Sequence, residues 1–128
     1  MANWDWLIIA SVCFCTCENF VYPSAEQEFK DMKKLVDRGN TFVYSSQTDS
    51  ALACYSLVLS KFNNEMPDSM KRVCVKAANN MGYLYLFRRH NYMMAYNYLL
   101  RALDIAKDLD DSLTTVYANL NMGNVFVN

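Results

Sequence analysis

The sequence is poor in the residues that punctuate a chain. Only three glycines and two prolines occur among 128 residues. That is too few to turn a many-stranded β protein. The glycines are also isolated from one another, so they form no phosphate-cradling loop. There is a single histidine, and no Cys or Ser is plausibly placed to pair with it, so a nucleophile–base couple is hard to build. No block of five or more like charges occurs and the formal net charge is −1, which argues against a basic face that binds nucleic acid. No apolar run approaches the roughly 20 residues that a membrane-spanning helix needs. What is present, 53% apolar and 20% charged residues, is the composition of one small all-α globular domain.

Residues 1–22 differ from the rest. They hold both tryptophans and three of the five cysteines, and the first basic side chain is Lys30. The uncharged stretch from Trp6 to Cys17 has the length of the apolar core of an export signal. Asp5, the lack of a basic residue before the run and the lack of an A-x-A site count against that reading. Two readings stay open: an exported protein (periplasmic or lipid-anchored), or a cytoplasmic one whose short apolar helix packs on the domain. Cys13, Cys15 and Cys17 are spaced too tightly for the usual paired zinc ligands, and Cys54 and Cys74 fall on apolar helix faces. No metal site and no cofactor are therefore expected.

Residues 23–128 read as helices joined by short turns. Ser24 and Gln27 form a capping box for a helix over 24–45. Thr48 or Asp49 caps a second helix, to about Phe62. Pro67 suits the first turn of a third, to about Phe87. Asn91 caps a fourth, from Tyr92 to about Leu109, and a fifth fills 111–128. The first four make two hairpins, over 24–63 and 67–109, and the fifth helix has no partner.

All three glycines lie inside these helices, where each costs about 1 kcal/mol relative to alanine. Gly39, Gly82 and Gly123 are 43 and 41 residues apart, and each precedes an aromatic by three residues: Phe42, Tyr85 and Phe126. A costly residue repeated at one helical place implies helix crossings too close for a side chain. Ala51 and Ala95 on the second helices supply the small complement, and Tyr55 and Leu99 one turn on supply bulk. A period of this length is that of a helical solenoid.

The pattern Ala78, Met81, Gly82, Tyr85, then Tyr92, Ala95, Leu99, Ala102 and Leu103 resembles a tetratricopeptide repeat (TPR). The first hairpin matches in part, with Arg38 where a large apolar residue is usual, and the last helix matches as a first helix only. The repeats are about 42 residues rather than 34 and lack the usual proline, as in long-repeat TPRs of bacterial sensor and regulator proteins. The resemblance implies a solenoid of two hairpins plus one helix, a non-enzymatic scaffold for a protein or peptide. It also implies the N-terminal part of a larger bacterial protein; alternatives are the sensory segment of a signalling or transcription regulator whose output domain is absent, and a self-assembly module.

In such a solenoid the first helices line a groove. Its positions here include Asn40 and Tyr44, then Lys76, Asn79, Asn80, Tyr83 and Phe87, then Asn121 and Asn124, with Val36 and Leu86 among them. Amide side chains both donate and accept, which suits an extended peptide backbone. The same asparagines also fit two other readings, soluble filler and hydrogen bonds between repeats. The apolar residues of the last helix, Val116, Leu120, Val125, Phe126 and Val127 among them, have no second helix to cover them. An exposed strip and a possible homodimer through it are expected.

Overall fold

The computed structural model describes residues 22–110 and 112–127, so the apolar leader and its three cysteines lie outside the described residues. The described residues form five helices and no strand: α1 (Ala25–Tyr44), α2 (Thr48–Ser60), α3 (Asp68–Phe87), α4 (Tyr92–Ala106) and α5 (Ser112–Val127). The fold is all-α. No described helix is long and apolar enough to cross a membrane.

The helix ends follow local chemistry. Ser24 Oγ accepts from the Gln27 amide at 3.2 Å, which is half of the expected capping box. The Gln27 side chain does not close the other half. It turns forward to Asp31 Oδ1 at 2.9 Å. Asn91 caps α4 by accepting from the Met94 amide at 3.1 Å. At α2 the expectation fails: Thr48 is already helical, and Gln47 holds the cap position without a side-chain hydrogen bond. α2 and α4 also stop earlier than expected, at Ser60 and Ala106, because the chain tightens into turns there. α1 closes with Ser46 in the left-handed region (φ 60°). The Gln47 amide then reaches Phe42 O at 2.8 Å and the Ser46 amide reaches Val43 O at 3.1 Å, satisfying carbonyls that the last turn would leave open.

Each helix packs against its successor. α1, α3 and α5 also pack side by side, whereas α2 and α4 do not meet. Two of the three glycines, Gly39 and Gly82, sit at close helix crossings; at Gly123 nothing described lies within 4 Å of the place of a Cβ, so the expected crowding is not found there. A Cβ on Gly39 would lie 2.6 Å from Cε1 of Tyr55, and one on Gly82 would lie 2.5 Å from Cγ of Leu99. Tyr55 and Leu99 are fully buried, as are Ala51 and Ala95 one turn before them. The close crossings expected from the sequence are therefore formed in both pairs, with the expected partners.

The core runs from Met32 and Val36 of α1 through Val58 of α2, Cys74 and Met81 of α3 and Ala102 of α4 to Ala118 of α5. Cys54 and Cys74 are buried free thiols, as their apolar faces implied. Burial pushes the Cys74 thiol up to about 11, so it stays protonated at neutral pH. Two expected placements are corrected. Val36 and Leu86, assigned to the groove, are buried. Tyr92, which the repeat pattern places among the packing residues, is the first residue of α4 and is 40% exposed.

Candidate functional site: the face shared by α1 and α3

The parallel packing of first helices brings their outward residues together. Asn80 of α3 donates through Nδ2 to Asn40 Oδ1 of α1 at 3.1 Å. Tyr55 of α2 passes under Gly39, and its hydroxyl donates to the same oxygen at 2.7 Å. One repeat further, Asn121 Nδ2 of α5 donates to Asn79 Oδ1 of α3 at 3.2 Å. These asparagines link repeat to repeat, which is the third of the roles open to them from sequence. Burial pushes the Tyr55 phenol up, and the hydrogen bond from the neighbouring Asn80 amide opposes that shift. The hydroxyl is therefore a neutral donor fixed on Asn40.

Above this cluster lies a cavity of about 270 Å³, lined by Asn40, Val43, Tyr44, Tyr55, Asn80, Tyr83 and Leu84. It is slightly smaller than the roughly 300 Å³ at which small-molecule pockets begin. The scale suits one or two side chains of a longer ligand. Its floor is polar and its walls are apolar. Asn40 Oδ1 already accepts twice, which leaves the Asn40 amide N–H groups and Asn80 Oδ1 for a ligand. Tyr83 stacks at a tilt against Phe87, ring centroids 4.8 Å apart, and both rings are about two-fifths exposed. Tyr44 stands at the rim, 89% exposed.

Of the expected groove residues, Asn40, Tyr44, Asn80 and Tyr83 converge on this one cavity, and Phe87 is joined to them through Tyr83. Lys76 lies elsewhere, in a smaller cleft beside Lys33 and Asp37. Asn79 and Asn121 pair with each other one repeat along, and Asn124 lies exposed on α5. Tyr55 and Leu84 were not foreseen as site residues. Tyr55 read as core bulk, and its ring is that. Only the absence of a side chain on Gly39, across from it, could have signalled that the hydroxyl reaches the far side.

A second polar surface joins the turns. Arg89 at the end of α3 pairs with Asp49 at the start of α2, beside Ser46, Gln47 and Arg88. Both partners are well exposed, so the pair is worth at most about 1 kcal/mol. Among the described residues no group of three or more His, Cys, Asp or Glu side chains converges. No family model, curated protein or solved structure matches the chain.

Proposed function

We propose that the chain is a non-enzymatic helical-repeat module of the TPR kind that holds an extended peptide of a partner protein across its first helices. The observation that supports this reading is the cavity between α1 and α3, where free amide groups lie under exposed aromatic rings. An extended strand has no internal partners for its backbone, and Asn40 and Asn80 offer a donor and an acceptor at one spot. Tyr44 and Tyr83 then flank an apolar or aromatic side chain lowered into the cavity. Three first helices side by side span about 25–30 Å. About eight extended residues cover that distance at ~3.3 Å each. The contact is small, so binding is weak, about micromolar.

The test is calorimetry with peptides selected from a random library on the wild-type protein. Tyr83→Ala removes the partly exposed wall of the cavity and should weaken binding at least tenfold while leaving the melting temperature close to wild type. Unchanged affinity would remove the cavity from the binding site. A large drop in melting temperature would mean that Tyr83 serves packing instead.

A further inference from the structure

We propose that the cavity between α1 and α3 is a tyrosine pocket, one that takes an unmodified tyrosine of the bound peptide and refuses the same residue once phosphorylated. The inference rests on the peptide-binding reading above and names the side chain that the reading leaves open. The observation behind it is a pair of amides that stop one bond short of each other. Asn80 Nδ2 donates to Asn40 Oδ1 at 3.1 Å, and the Tyr55 hydroxyl donates to that same oxygen at 2.7 Å. Two side-chain amides can also make the reciprocal bond. Among the described residues, no hydrogen bond joins Asn40 Nδ2 to Asn80 Oδ1. An unused donor and an unused acceptor therefore stand side by side on two residues that line the cavity.

A single hydroxyl bridges such a pair. Its oxygen accepts from the Asn40 N–H, and its own proton goes to Asn80 Oδ1. Asn40 has two amide N–H groups and Asn80 Oδ1 has two lone pairs, so a backbone group of the peptide can be held beside the hydroxyl. Around the amides the cavity is apolar. Val43 and the buried Leu84 line it, and the exposed rings of Tyr44 and Tyr83 stand at its mouth. A ring entering between them gains offset or edge contacts beyond its burial.

Tyrosine joins an aromatic body to one atom that both gives and takes a hydrogen bond. Phenylalanine would cover the two amide groups and satisfy neither. Tryptophan brings a donor only, and histidine carries its donor and its acceptor on different ring atoms. Glutamine has both at its tip but no ring to lay against Tyr83. Among the described residues, no charged side chain lines the cavity. Lys33, Arg72 and Lys76 line a separate cleft, nearer the starts of the two helices. Phosphorylation adds roughly −1.5 to −2 charges and replaces the hydroxyl proton with acceptor oxygens. Those oxygens would meet Asn80 Oδ1 with no cation in the cavity to offset them.

The experiment uses the full chain to select peptides from a random octapeptide library. The tightest peptide is then resynthesised with single changes. Selection should return a shared tyrosine. In calorimetry, phenylalanine at that position should weaken binding about tenfold, the scale of burying polar groups unsatisfied. Phosphotyrosine there should abolish measurable binding. Asn80→Ala should shrink the preference for tyrosine over phenylalanine. Both peptides meet the same variant, so any loss of its stability weakens both and leaves their ratio unchanged. Selected peptides that share no tyrosine, or a phenylalanine peptide that binds as tightly, would overturn the assignment and leave peptide binding in place. An unchanged ratio in Asn80→Ala would overturn the bridged hydroxyl, and tight binding of phosphotyrosine would overturn the gating. A library that returns no binder would remove the peptide reading, and this inference with it.

Discussion

A hydrogen atom in place of a methyl group decides how closely α2 and α4 approach α1 and α3. At Gly39 a methyl would meet the Tyr55 ring, which its hydrogen bond to Asn40 holds in place. At Gly82 it would meet the branch point of Leu99 rather than a movable tip. Overpacking of this kind costs about 1–3 kcal/mol. The better helix propensity of alanine returns about 1 kcal/mol. Gly39→Ala and Gly82→Ala should therefore lose up to about 2 kcal/mol in urea unfolding. Gly123→Ala meets no atom and should keep the propensity gain, up to about 1 kcal/mol. Three losses of equal size would show that the last glycine is packed after all. The first two crossings were legible in the sequence because a glycine inside a helix has a cost that only packing explains. The hydrogen-bonded floor of the cavity was not, since the same asparagines fit three roles until the helices are set side by side.

At the scale of the element, two first turns differ by one methylene. Gln47 and Asn91 precede α2 and α4 with nearly the same backbone, φ −90° and ψ 71° against φ −102° and ψ 86°. Asn91 reaches the Met94 amide, while the Gln47 side chain makes no such bond. The shorter side chain fits the cap, and the longer one overshoots it. Gln47→Asn should then stabilise by about 1 kcal/mol, and Asn91→Gln should lose a similar amount, both read from thermal unfolding. A silent Gln47→Asn would mean that the turn at Ser46 holds α2 without help from a cap. The sequence pointed to Thr48 or Asp49 here because both are good capping residues. The left-handed turn at Ser46 closes α1 so tightly that α2 begins before either of them can cap it. The same crowding explains why Val36 and Leu86 proved buried. A first helix is covered by its own partner and by the neighbouring first helices, so its open strip is narrower than a single amphipathic pattern implies.

Across the whole molecule, cover falls away from the centre of the stack toward its last helix. α3 touches all four other helices, and nine of its residues are buried. Among the described residues, α5 touches α3 and α4 only, buries Ala118 alone, and leaves Leu113, Val116, Leu120, Phe126 and Val127 at least half exposed. Isolated helices of this length are marginal in water, so helical order depends on the packed face. With little apolar area removed from water, α5 should open without the rest of the stack. Native-state hydrogen exchange should therefore place the amides of Val116–Val127 several kcal/mol below those of Val75–Leu84, which should exchange only through global unfolding. The edge contact of Phe126 on Tyr96, ring centroids 6.1 Å apart, opposes that opening but is worth only about 0.5–1.5 kcal/mol. Equal protection in α3 and α5 would mean that the stack unfolds as one unit and that the exposed strip of α5 is not its weak point.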